Sequence, residues 1–230
     1  MKTIGMLGGM SWESTAVYYK LINEEVKNKL GGLHSAKICL YSVDFDEIEK
    51  LQHQGSWQAT ANILADAAQS IESAGSDFLI ICTNTMHKVA AEVQQATSIP
   101  LLHIADATAN ELKANKINTV GLLGTRFTME QDFYKGRLQD KHGIKVVVPK
   151  QTDQTIVHDI IYHELCHGKT NTHSREKYLE IINKLHQQGA EAVILGCTEI
   201  SLLVQQQYTP VPLYDTTEIH AKAAVKHALK

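Results

Sequence analysis

Ile80-Ile81-Cys82-Thr83-Asn84-Thr85-Met86-His87 and Ile194-Leu195-Gly196-Cys197-Thr198-Glu199-Ile200 decide how this chain is read. Each is a short apolar run that stops abruptly in small polar residues. Each follows a helix end punctuated by glycine, Gly75 before the first and Gly189 before the second. A short apolar run bounded in this way reads as a buried parallel strand that hands polar groups to the next helix. Open α/β sheets bind ligands outside the carboxyl ends of such strands. Thr83 and Cys197 hold the same place in the two stretches, 114 residues apart in a chain of 230.

Other segments match at nearly the same spacing. Ile4-Gly5-Met6-Leu7-Gly8 matches Val120-Gly121-Leu122-Leu123-Gly124, and Tyr18 falls opposite Tyr134, both 116 residues on. Ile99-Pro100-Leu101 matches Val211-Pro212-Leu213, 112 residues on. A period of half the chain is not that of a solenoid. The expectation is an α/β protein of two pseudo-symmetric, parallel-sheet domains from an internal duplication, each offering one reactive tip to a cleft between them.

Composition narrows the function classes. Hydrophobic residues make up 43% and charged residues 20%, so the chain can bury proper cores. A net charge of −3 gives no reason to expect a nucleic-acid partner. The apolar runs fall short of a membrane span. Four cysteines occur without a C-x-x-C pair, and the chain enters a strand at once. The expectation is free thiols in a reducing, cytoplasmic setting.

Gly8-Gly9-Met10-Ser11 closes the first strand and opens a helix. A glycine turn at a helix N-terminus can cradle a carboxylate or phosphate on its N–H groups. It is neither a Walker loop nor a G-x-G-x-x-G turn, and a tight βα turn with no ligand fits it equally well. The second half replaces the second glycine by Thr125. Residues 44–54 read as a charged loop with Gln52 near its end, and loops beside a cleft often carry binding residues. A solvated helix start fits most of them at least as well.

A thiol at a strand's carboxyl end beside a helix N-terminus has surroundings that lower its pKa. Cys197 stands there, followed by Thr198 and Glu199, which can bind a ligand or orient the thiol. Cys39 and Cys166 read as buried structural thiols. Side chains alternate along a strand, so Cys82 reads as core and Thr83 as cleft. His163-Glu164-Leu165-Cys166-His167 matches the helical H-E-x-x-H zinc motif. The blander reading, the polar end of a helix over residues 155–167 stopped by Gly168, is preferred because no third ligand presents itself. No metal is therefore expected.

The Gly8-Gly9-Met10-Ser11 turn, Asn84-Thr85-x-His87 and Gly196-Cys197-Thr198-Glu199 together make the chain resemble the aspartate/glutamate racemase family. Glutamate and hydantoin racemases are wider relatives. Within the family the likeness is greatest to the L-aspartate/glutamate-specific racemases. The resemblance implies a cofactor-independent enzyme in which two groups work on opposite faces of an amino acid's Cα. It implies Cys197 and Thr83 as catalytic groups, with Met10, Asn84, Thr85, Thr198 and Glu199 around the substrate. Gln52, and more weakly His167, would hold the side-chain carboxylate. Thr83 departs from the family's usual first cysteine. The family's division of labour then implies that Cys197 deprotonates an L-substrate while Thr83, or water held by it, reprotonates, with a rate preference for L-substrates. Residues 211–230 would return to a first domain of residues 1–98, leaving 99–210 as the second. Dimers are the family's common assembly. The alternatives are an isomerase of another small carboxylate, such as maleate or a hydantoin, and a non-catalytic carboxylate-binding protein.

Overall fold

The computed structural model describes residues 1–230. In chain order its elements are β1 (Ile4–Gly8), α1 (Trp12–Leu30), β2 (Ile38–Ser42), α2 (Phe45–His53), α3 (Trp57–Ser73) and β3 (Phe78–Ile81). A 3-10 turn (Thr85–Val89), α4 (Ala90–Gln95), α5 (Ile104–Ala114) and β4 (Thr119–Gly124) follow. Next come α6 (Arg126–Glu130), α7 (Asp132–Gly136), a π-helical turn (Arg137–Lys141), β5 (Lys145–Val147) and α8 (Gln151–His163). A 3-10 turn (Leu165–His167), α9 (Thr172–Gln187), β6 (Ala192–Gly196), α10 (Ile200–Leu203), a 3-10 turn (Gln206–Tyr208), β7 (Leu213–Asp215) and α11 (Thr216–Ala228) complete it. No helix is long and apolar enough to cross a membrane.

Two compact units result: Met1–Ile104 with His220–Lys230, and Ala105–Ile219. Residues 99–104 and 211–219 thus fall on the other side of the division from that expected. Strand pairing explains this. Leu101 bridges Leu79 of β3 in the first unit, whereas Leu213 in β7 pairs with Val193 of β6 in the second.

The first sheet has the order β2-β1-β3 and the second β5-β4-β6-β7, all parallel. With the Leu101 bridge as a vestigial fourth strand, the two orders are the same. The duplication extends to single hydrogen bonds. The Leu79 N–H donates to the Pro100 carbonyl at 2.9 Å, and the Val193 N–H to that of Pro212 at 2.8 Å. Acidic side chains preceding the central strands cap the neighbouring strand alike, Asp77 accepting from the Thr3 N–H and Glu191 from the Thr119 N–H.

Period-two alternation gives the first sheet two buried faces. Leu7, Leu79 and Ile81 pack with α2, α3 and α4, while Ile4, Met6, Phe78, Ile80 and Cys82 pack with Tyr18, Ile22 and Val26 of α1 and Ala221, Ala224 and Val225 of α11. In the second unit Leu123, Val193 and Leu195 pack with Val157 and Ile161 of α8 and Ile181, Ile182 and Leu185 of α9.

Two expectations are corrected. Residues 44–54 are not a loop: Asp44 caps the Asp46 N–H, and Ile48 and Gln52 put a buried stripe on α2. The helix expected over 155–167 starts earlier, as α8, and ends at His163.

Candidate functional site

The first tip is the segment that leaves β3. Cys82 is wholly buried among residues of α1 and α11, and burial pushes its thiol well up. Thr83, next along, is partly exposed. The strand end is held from several sides. The Ser14 hydroxyl, from the first turn of α1, donates to the Cys82 carbonyl at 2.9 Å. His87 Nδ1 lies 2.8 Å from the Thr83 carbonyl. Asn84 and Thr85 are buried in the turn that follows. Gln52 is buried on α2 with its Nε2 3.9 Å from Met86 Sδ, and Met10 packs in the same cluster as Met86 and Ile48. Met10, Gln52, Thr83, Asn84 and Thr85 therefore gather at one end of the first sheet.

In the sequence the glycine turn is open to two readings, an anion cradle and a tight turn. Gly9 adopts φ +92, and a Cβ there would meet the Val43 carbonyl oxygen at 2.3 Å, so only glycine fits. Its N–H, however, donates to Thr15 Oγ1 at 2.8 Å. The Ser11 hydroxyl in turn accepts from the Ser14 N–H as the cap of α1. Part of the donor set the cradle needed is satisfied within the fold, which favours the tight-turn reading.

The second tip leaves β6. Cys197 is partly exposed, and its Sγ–H donates to Glu199 Oε2 at 2.9 Å. Thr198 and Glu199 are largely buried beside it. Burial, then the negative charge of Glu199, hold the thiol well above the usual cysteine range. This reverses the expectation of a lowered pKa. The helix that follows, α10, is a four-residue turn whose dipole is too short to offset a carboxylate in contact with the sulfur. Cys197 therefore rests as a thiol with a hydrogen-bonded base.

His167 ends a 3-10 turn with its ring exposed, in the same unit as Cys197. The H-E-x-x-H stretch loses the geometry of its motif because α8 stops at His163, and Ser174 donates to both oxygens of Glu164. The two imidazoles do not stand one turn apart on a continuous helix, as the zinc motif requires. Of the two roles read for Glu199, ligand binding or orienting the thiol, the contact with the Cys197 sulfur fits the second. One role escaped the sequence reading. His87, quoted only as part of a motif, braces Thr83 from four residues on.

Known proteins share this fold. The structure resembles that of a candidate Asp/Glu racemase from Yersinia pestis, with 56% identity, a TM-score of 0.95 and full coverage of both chains. It also resembles an aspartate racemase homologue from Pyrococcus horikoshii, with 34% identity, a TM-score of 0.88 and full coverage of both chains. The sequence is 25% identical to the broad specificity amino-acid racemase RacX of Bacillus subtilis, over 96% of each chain. A family model described as Asp/Glu/hydantoin racemase matches residues 7–224, so this chain, with its two like units, belongs to that family.

Proposed function

We propose that this protein racemises acidic amino acids, aspartate and glutamate, without a cofactor, by proton transfer at Cα. The observation that carries the reading is the Cys197 thiol hydrogen-bonded to Glu199 at the carboxyl end of β6. A thiol is a useful base only as thiolate. Glu199 supplies an acceptor for its proton within one hydrogen bond, so thiolate forms at the moment it is needed and not as a free anion. Cys197 then takes the α-proton of the L-substrate. Thr83, or water held at its hydroxyl, gives a proton to the opposite face. The deficit left at Thr83 and the proton left on Glu199 are made good by exchange with water. Thr85, Asn84 and Thr198 supply amide and hydroxyl dipoles that spread the developing carbanion charge over the α-carboxylate. Gln52 holds the side-chain carboxylate by neutral hydrogen bonds.

A threonine hydroxyl is a far weaker acid than a thiol. The two directions therefore differ in rate, with L-substrates favoured, although the overall equilibrium stays at unity because enantiomers are equally stable in water. Proton NMR in D2O tests the reading. L-aspartate and L-glutamate should lose their α-proton signal and yield D-isomer with the wild type, and neither should occur with Cys197→Ala. Thr83→Cys should raise the rate from the D-isomer. Absence of exchange on both substrates would reject the reading in favour of another carboxylate isomerase or a carboxylate-binding protein.

A further inference from the structure

Two hydrogen bonds of the His87 ring together fix its chemical state. Nδ1 stands 2.8 Å from the Thr83 carbonyl, which can only accept, so Nδ1 carries a hydrogen. Nε2 receives the Ile104 N–H at 3.2 Å, so Nε2 carries a lone pair. One neutral tautomer satisfies both, and the imidazolium satisfies only one. A proton on Nε2 would set one N–H against another at the start of α5.

We infer that His87 is the positioning residue of the Thr83 tip, and that it acts only as the neutral Nδ1–H imidazole. The inference rests on the reading of Thr83 as the group on the substrate's second face. The ring ties the backbone of Thr83 to the first residue of α5, so the Thr83 tip is anchored to a second element of the fold. Its surroundings oppose a charge. His87 is 2% exposed. The His103 ring packs against it with centroids 4.5 Å apart and the His220 ring at 5.8 Å. His220 is itself committed as a neutral ring, with Nε2 donating to the Leu102 carbonyl and Nδ1 taking the Tyr18 hydroxyl. Lys88, the next residue, adds a cation directed over Trp57. Any proton taken up here joins a buried group of three imidazoles.

The second unit supplies a built-in comparison. Ser201 lies four residues after Cys197, as His87 lies four after Thr83. Its hydroxyl donates to the Thr198 carbonyl at 2.9 Å. That bond holds Thr198, one residue beyond Cys197, by a hydroxyl, whereas His87 holds Thr83 itself by an imidazole. The titratable brace on a tip's own backbone carbonyl is thus the one that His87 makes to Thr83.

Asparagine can place an amide N–H where Nδ1–H stands, whereas phenylalanine keeps only the bulk of the ring. The test compares wild type, His87→Asn and His87→Phe. Nitrogen-15 imidazole spectra of the wild type at neutral pH should show His87 as the Nδ1–H tautomer. His87→Phe should lower kcat by about 10- to 100-fold, the scale of a misplaced reacting group, with KM within about threefold. His87→Asn should recover most of that loss and lack the wild type's fall in activity on the acid side. A charged ring or an Nε2–H tautomer would overturn the inference. So would His87→Phe at wild-type kcat, or His87→Asn no better than His87→Phe. Should His87→Phe not fold, the wild-type spectra and the pH profile of His87→Asn still decide. A wild type that racemises nothing sinks the proposed function instead, and the imidazole spectrum separates that failure from this one.

Discussion

Cys197 shows why a reactive position and a reactive state are different things. The strand end places the sulfur, but burial and Glu199 keep it protonated. This resting state suits a group that must give and take a proton in turn, and it protects the thiol from stray electrophiles. Glu199→Gln removes the charge and keeps an oxygen to accept the S–H. The thiol pKa should then fall, while burial, the largest cause of the elevation, keeps it above that of a free cysteine. Alkylation of Cys197 by iodoacetamide at fixed alkaline pH should be faster in Glu199→Gln than in the wild type. An unchanged rate would mean that the carboxylate does not govern the thiol. Racemisation should fall in the same variant, because the amide cannot accept the thiol proton.

At the scale of elements, the duplication was legible because strands carry it in their apolar runs, and β1, β3, β4 and β6 lie where those runs placed them. The tips were legible for the same reason. The short and broken elements were not. α2 hides its amphipathic stripe among charges, Lys50 bonding Asp46 and His53 bonding Glu49 on its outer face. The helix expected over 155–167 had no sequence signal for its break, since Glu164 is an ordinary helix former until Ser174 holds its carboxylate. One repeat-related device was invisible until the structure placed it. Gln94 donates to the Thr97 and Ile99 carbonyls and accepts from the Leu101 N–H; Gln206 does the same with Thr209, Val211 and Leu213. Each side chain thus pins the segment that adds the last strand to its sheet. Gln94→Ala and Gln206→Ala should each cost about 1–3 kcal/mol in urea unfolding, because backbone groups lose their partners. Costs within about 0.5 kcal/mol for both, the range of ordinary surface changes, would show that the pins are not structural.

At the scale of the whole molecule, the duplication is closed by an exchange. The last helix of each sequence half serves largely the other half's unit: residues 105–114 of α5 join the second unit, and residues 220–228 of α11 join the first. Two tyrosines record it. Tyr18 meets His220 Nδ1 at 2.9 Å, and Tyr134 meets Thr108 Oγ1 at 3.3 Å, with 108 and 220 in corresponding places of the repeat. The contacts are alike in position and unlike in chemistry, since only the first unit holds a titratable partner. Burial lowers the His220 pKa to about 4 from the ordinary 6.5. In the unfolded chain this ring binds a proton near pH 6.5, and in the folded protein it does so only near 4. Between these values the unfolded state holds the extra proton, so stability falls as pH falls through that window and is fully present above it. A shift of this size corresponds to about 3 kcal/mol lost by pH 4. Both tryptophans, Trp12 and Trp57, lie in the first unit, so their fluorescence follows its unfolding. Urea midpoints read by tryptophan fluorescence should decline from pH 7 to pH 4 in the wild type. His220→Gln keeps an amide donor for the Leu102 carbonyl and cannot take up a proton, so its decline should be shallower even if its midpoint at pH 7 is lower. Parallel declines in the two proteins would assign the acid sensitivity to groups other than His220, and the exchanged helix would then close the first unit by packing alone.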